Sequence, residues 1–383
     1  MTYAAWRQKE IRMRKYSTYS TRNIPIYPME YPIANEINEI ISNEFPYDIT
    51  ILAENLAVPW ALDISEEGKI YVTERNGAVR VIEDGILDPS PLIRFGGDFV
   101  SSVEGGLMGL ALDPNFSQNN YFYVAHTYRQ GNQLYVRVVR LIDQGDKAVI
   151  DRTIIEGIPG SQTHTGGRIK IGPDNKLYIG TGDAGNPRLS QDVNSLAGKI
   201  LRLELDGSIP EDNPFPGSPV FSLGFRNPQG MTWKDSIMYA SEHGEIGNDE
   251  INLIKPGANY GWPRLQTDSD FDMENPLVGS GGDAWAPSGI AYINQGPWQG
   301  RLLVAALKAK QLLAFTLNQE GTGVEQVEAF LWNEFGRLRD VVQAKDGSIY
   351  IATSNRDGRD RPATNDDRIL RLTPKASVYE SGS

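Results

Sequence analysis

The histidine of Thr163-His164-Thr165-Gly166-Gly167-Arg168 has the setting in this chain best suited to moving a proton. An imidazole accepts a proton near neutral pH. The glycines after it permit a tight turn and close approach of a ligand. Taken alone, such a histidine is more commonly a satisfied loop residue. Two other motifs are rich in donors. Arg226-Asn227-Pro228-Gln229-Gly230 joins a guanidinium to two amides, and Arg337-Leu338-Arg339-Asp340 puts two arginines on one side of an extended strand. Guanidinium forks and amide N–H groups recognise carboxylates. A solvated strand face explains the Arg337/Arg339 spacing equally well, but not the Arg-Asn-Pro-Gln run. Asp249-Glu250-Ile251-Asn252 leads into Asn259-Tyr260-Gly261-Trp262-Pro263. Carboxylates and carbonyls are calcium ligands, although loop capping is the simpler role for Asp249 and Glu250. Together these motifs describe a polyanion site beside a metal.

Composition removes other chemistries. The 383 residues carry a formal net charge of −12, which disfavours nucleic-acid binding because that needs a positive surface. With no cysteine, disulfides, thiolate metal sites and cysteine nucleophiles are excluded. The histidines are His126, His164 and His243 only, without the helical spacing of a zinc protease. There is no nucleophile elbow or P-loop. Gly279-Ser280-Gly281-Gly282-Asp283 lacks the βαβ context of a nucleotide fingerprint. A glycosidase carboxylate pair is conceivable, but nothing in the sequence selects two residues. No apolar run is long enough for a membrane span.

The elements that must position these residues form a repeat. Lys69–Thr73, Tyr121–Ala125, Lys176–Gly180, Ser236–Ala240, Arg301–Ala305 and Ser348–Ala352 are rich in β-branched and aromatic residues and recur every 47 to 65 residues or so. The 39 glycines and 23 prolines suit many short strands and turns. Each unit reads as the second strand of a four-stranded antiparallel blade, giving an all-β, six-bladed β-propeller. A large β-sandwich or two smaller β domains is the alternative. The strand at 47–52 and that at 368–372 are expected to share a blade and close the ring. The expected divisions are an N-terminal extension at 1–44, with a short helix near 35–43, the propeller at 45–376 and a C-terminal tail at 377–383.

In this order and spacing, the motifs resemble the soluble glucose/sorbosone dehydrogenase family, quinoproteins that use pyrroloquinoline quinone (PQQ) and calcium. The resemblance runs from about Asp48 to Pro374. It implies oxidation of an aldose at C1 to the lactone, with electrons passed to an external acceptor. His164 resembles the family's general base. Arg226, Asn227, Gln229, Lys308, Arg337 and Arg339 match its PQQ-binding residues. The turn Glu242-His243-Gly244-Glu245 implies calcium on the Gly244 and Glu245 carbonyls, although many relatives have proline where Glu245 stands. A second calcium implies Glu250, the Tyr260 carbonyl and Asp268 or Asp270. On the substrate side, the family often has glutamine at Glu104, and its glucose-specific branch has aspartate at Thr163. Pro59-Trp60-Ala61-Leu62 is similar to the broader aldose-oxidising branch, with Trp60 either an apolar platform for a sugar ring or a buried core residue. A calcium-dependent sugar-lactone hydrolase and a non-catalytic carbohydrate-binding propeller are the rival readings. Relatives in the family are usually exported, yet the basic N-terminal segment has no apolar stretch of a secretory signal. A monomer or dimer is expected.

Overall fold

The computed structural model describes residues 45–263 and 273–375. The expected N-terminal extension with its helix, the C-terminal tail, Asp268 and Asp270 lie outside the described residues.

Six antiparallel sheets follow one another along the chain as the blades of a propeller. The first strands of blades one to six are Pro59–Ile64, Leu107–Leu112, Gly166–Ile171, Pro228–Lys234, Pro287–Tyr292 and Leu338–Gln343. They pack side by side, and Pro59–Ile64 meets both Leu107–Leu112 and Leu338–Gln343, which closes the inner ring. The second strands are Ile70–Glu74, Tyr121–Gln130, Leu177–Thr181, Ile237–Glu242, Arg301–Ala306 and Ile349–Thr353. These are the six repeat units. Each lies between two strands of its own sheet and between two neighbouring blades, so both faces are buried and the sequence reads as an apolar run.

The last blade is completed from the other end of the ring. Tyr47–Ala53 pairs antiparallel with Ile369–Pro374 as its outermost strand. Tyr47 also packs on Trp298, ring centroids 4.6 Å apart. Blade one differs from the four-strand pattern, since two short pieces, Ile86–Leu87 and Ile93–Arg94, both pair with Ala78–Glu83. Among the described residues, helix is confined to Phe116–Asn119 and a 3-10 turn at Pro187–Ser190. The core lies between blades. Met231 and Ala240 meet Tyr178 and Ile200 between blades three and four, and Leu62 and Val72 meet Val342 and Ala352 between six and one.

Every first strand carries a register shift within its first four residues. Such bulges re-aim side chains at the rims of closed sheets. At the third position stand Ala61, Gly109, Arg168, Gly230, Gly289 and Asp340. Four are small. The other two come from opposite blades, and Arg168 Nη1 reaches Asp340 Oδ2 at 2.9 Å across the axis. A Cβ on Gly289 would lie 2.0 Å from Asp340 Oδ1, so the small residues make room for this pair. The loops after the second strands share the axial end on which the first strands begin. The motifs around His164, Arg226, His243 and Arg337 lie on those two sets of segments, whereas residues 250–252 are in the third strand of blade four, Glu250–Ile254, and 259–263 come after it.

Candidate active site

His164 lies just before the first strand of blade three, in the left-handed region at φ 53°. Its peptide is held on both sides. The N–H donates to Glu104 Oε2 at 2.7 Å, and the carbonyl accepts from the Ala184 N–H at 3.2 Å. Its ring Nδ1 is 2.9 Å from Asp183 Oδ1. Asp183 is fully buried and lies in the loop after the second strand of the same blade. It also accepts from Trp262 Nε1 at 2.9 Å and the Gly185 N–H at 2.8 Å. Burial raises its carboxyl pKa, but the bonds from His164, Trp262 and Gly185 outweigh that and hold it below the usual carboxylate range.

Asp183 leads on to the Arg-Asn-Pro-Gln motif. Its N–H donates to the Arg226 carbonyl at 2.8 Å, and the Arg226 guanidinium lies 5.5 Å from the centre of the Trp262 ring. Asn227 Oδ1 accepts from the Gly166 N–H at 3.0 Å. Gln229 Oε1 accepts from Arg339 Nη1 at 3.0 Å and from the Ser288 hydroxyl at 3.2 Å. Both amides thus present oxygen to a protein donor, which fixes their orientation. Their NH₂ groups have no protein acceptor among the described residues. Arg226 Nε and His243 Nε2 are buried without partners as well. Burial, with Arg339 and Arg226 nearby, pushes the His243 pKa down to about 3, so its ring is neutral at pH 7.

Blade six supplies the other arginines. Arg337 binds Asp357 Oδ2 through Nε at 2.9 Å and Nη2 at 2.7 Å. Arg339 Nη2 is 3.4 Å from the same oxygen. One buried carboxylate therefore orients two buried guanidiniums while cancelling one of their charges. Burial lowers the Arg339 pKa, with Asp357 opposing. Arg337 and Arg339 thus lie in the interior, unlike residues of a solvated strand face. Lys308 is exposed, whereas the nearby Lys310 is tied to Asp360 at 2.7 Å.

The proposed metal turn is braced by Asp249. Its Oδ1 accepts from the Gly244 N–H at 2.9 Å, and Oδ2 from the N–H groups of Trp285 and Ala286 at 2.6 and 2.8 Å. Asp249 is therefore a loop cap. Glu245 is exposed. Glu250 faces Glu242 across paired strands, and Asn252 Nδ2 lies 3.3 Å from Glu250 and 3.4 Å from Glu242. Burial, then repulsion from Glu250, raises the Glu242 pKa well above that of an ordinary carboxyl. The Tyr260 ring stacks on Phe225 with centroids 4.7 Å apart. No group of three or more acidic, histidine or cysteine side chains among the described residues could hold a metal alone.

Of the three substrate-side residues, Thr163 is half-buried beside the histidine, its N–H bonded to the Ser161 hydroxyl at 3.1 Å. Both oxygens of Glu104 are engaged by protein donors, the His164 N–H and Arg359. Trp60 is a correction. It is 2 % exposed, with Arg168 stacked 4.3 Å from its ring centre and Arg339 at 5.8 Å, so it is a buried axial residue and not a sugar platform. The sequence reading also missed Asp183, Asp357 and the role of Trp262. A signal existed for the two carboxylates, which follow the repeat units of blades three and six within a few residues.

Residues 56–371 match the family model described as Glucose / Sorbosone dehydrogenase. This chain belongs to the glucose/sorbosone dehydrogenase family. The family member from Escherichia coli K12, the aldose sugar dehydrogenase YliI, is 30% identical over 86% of this chain and 93% of its own. The quinoprotein glucose dehydrogenase B of Acinetobacter calcoaceticus is 28% identical over 81% of this chain and 72% of its own. The PQQ-bound structure of the Streptomyces coelicolor aldose sugar dehydrogenase is 37% identical, covers 85% of this chain and 98% of its own, and has a TM-score of 0.78.

Proposed function

We propose that this family member oxidises the C1 hydroxyl of aldoses to the lactone, with PQQ and calcium bound at the axial end, and passes the electrons to an external acceptor. The main support is the set of leftover donors. Asn227 and Gln229 have used their oxygens internally and keep their NH₂ groups, and Arg226 Nε is buried without a partner. Orphaned buried donors are costly unless a ligand accepts from them. A compact anion with several carboxylates fits them, and Arg337, Arg339 and Lys308 add charge.

Bound there, PQQ supplies the ortho-quinone that accepts the hydride. The protein's part is proton handling and positioning. With Nδ1–H directed at Asp183, the lone pair of His164 lies on Nε2, free to accept the C1 hydroxyl proton. The forming imidazolium is stabilised by the same carboxylate. The Gly244 and Glu245 carbonyls would hold calcium, which takes oxygen donors in a flexible geometry and would supply Lewis-acid polarisation of the quinone. Glu250, the Tyr260 carbonyl and Asp268 are proposed for a second calcium. The lactone-hydrolase reading needs free carboxylates at the axis. Instead, Asp183, Asp340 and Asp357 are each committed to protein cations or donors.

Titrating the apo protein with PQQ and calcium, followed by absorbance and by dye reduction with aldoses, tests this reading. Arg226→Ala should weaken PQQ binding at least about tenfold, the value of one charge-assisted contact, while thermal unfolding moves little. Unchanged PQQ affinity in this variant would remove the cofactor assignment.

A further inference from the structure

We infer that Glu104 is a positioning residue for His164: its carboxylate, itself held by Arg359, fixes the backbone turn that aims the imidazole. The inference rests on the reading of His164 as the base.

The backbone of His164 is in a region that non-glycine residues occupy at a cost on the order of 1 kcal/mol or more. Such a conformation persists only where its surroundings over-determine it. Two restraints come from blade three. Ala184 N–H binds the His164 carbonyl, and Gly182 lies so close that a Cβ there would be 1.9 Å from that oxygen. The third comes from another blade. Glu104 is in the loop leading into blade two, and its Oε2 accepts from the His164 N–H at 2.7 Å. This is a charge-assisted bond and roughly twice as strong as a neutral one.

Glu104 is well placed to act as an anchor. Its own N–H donates to the Gln162 carbonyl at 3.1 Å, joining its loop to the histidine's. Just beyond it, Gly106 lies against the backbone of Arg75, where a Cβ would be 2.2 Å from the carbonyl. Arg75 Nη1 in turn donates to the Val103 carbonyl at 2.8 Å. The second carboxylate oxygen binds Arg359, which comes from blade six and reaches past blade one. Arg359 is two residues from Asp357, the carboxylate that orients Arg337 and Arg339, and its N–H binds Asp357 Oδ1 at 3.0 Å. The loop carrying Asp357 and Arg359 therefore links the arginine pair on one side to the histidine on the other. A carboxylate with each oxygen engaged in this way acts on the sugar through His164. That differs from a direct substrate contact.

Glu104→Ala, Glu104→Gln and Arg359→Ala should be compared in the PQQ- and calcium-loaded protein. Glu104→Ala should lower kcat at least about tenfold with KM for the aldose changed less than about threefold. Glu104→Gln keeps an acceptor for the His164 N–H and should recover most of the loss, with Arg359→Ala intermediate. In apo protein, the His164 amide resonance should move upfield in Glu104→Ala and much less in Glu104→Gln, a readout independent of turnover. If Glu104→Ala raises KM and spares kcat, or leaves the His164 amide in place, the positioning role is overturned. Combining Glu104→Ala with His164→Ala separates the two readings. No further loss beyond His164→Ala supports action through the histidine, and an equal further loss refutes it. Full activity of His164→Ala alone would sink the base assignment and leave the amide result standing by itself.

Discussion

At the scale of single residues, the proposed oxidation turns on which nitrogen of His164 carries the proton. Asp183 accepts from Nδ1, so Nε2 is left for the proposed role of base. Asp183→Asn offers an amide that can donate to Nδ1 and drive the ring proton to Nε2. We expect kcat to fall at least about a hundredfold in Asp183→Asn and in His164→Ala, the low end for lost general-base catalysis. PQQ affinity, read by absorbance titration, should hold in both. A near wild-type rate in either, with cofactor bound, would contradict the mechanism. His126 behaves in the opposite way. It is buried, with Nδ1 3.0 Å from the Thr127 carbonyl and Arg137 Nε 3.1 Å from Nε2. Burial pushes its pKa down to about 4. Its folded pKa is thus below the unfolded value near 6.5, and the unfolded chain binds the proton first. The stability it contributes is complete above about pH 6.5 and is lost as pH falls towards 4, on the order of 3 kcal/mol. Urea denaturation across that range should show the slope, and His126→Gln should flatten it; an equal slope in the variant would exclude His126 as its origin.

At the scale of elements, the site is a product of loop starts. The turn Glu242-His243-Gly244-Glu245 begins on the last residue of a second strand and is fastened by Asp249 at the Gly244 N–H, so the carbonyls proposed for calcium sit on a turn the protein already holds. Chelation should abolish dye-linked sugar oxidation, and calcium should restore it better than magnesium, which demands near-ideal octahedral geometry. Turnover persisting in a demonstrably metal-free sample would exclude a catalytic ion. The second strands were legible in the sequence because burial on both faces makes runs such as Ile349–Thr353 continuously apolar. The closing pair, Tyr47–Ala53 with Ile369–Pro374, was legible because a ring must close and these β-prone stretches stand at its two ends in sequence. Asp183 and Asp357 were marked only by their place just past a repeat unit, which did not disclose that they organise the histidine and the arginines. Each acts on residues brought near by the ring rather than by spacing, and a carboxylate after a strand looks like any turn residue. Trp60 was ambiguous for the same reason, since its neighbours Arg168 and Arg339 come from blades three and six.

At the scale of the whole molecule, the ring is stitched across its axis. Arg168 and Asp340 are both buried, and Asp340 Oδ2 also accepts from the Leu62 N–H of blade one at 3.0 Å. Removing one partner strands the other charge in the interior. Asp340→Ala should therefore cost about 3–5 kcal/mol in urea denaturation, and Arg168→Met combined with Asp340→Leu should recover much of it. A single variant as stable as the parent would show that the axial pair is not needed to hold the blades. The seam in blade six matters on another timescale. Residues 47–53 leave the ribosome about 320 residues before the strand at 369–374 that they pair with. At roughly 5–20 residues per second, that leaves a β-prone segment unpaired for a time on the order of 15–60 s, open to pairing with any other exposed edge. The ring is thus a structure that the ribosome must finish before it can shut. A chain reordered to make this segment after residue 375 would have almost no such wait.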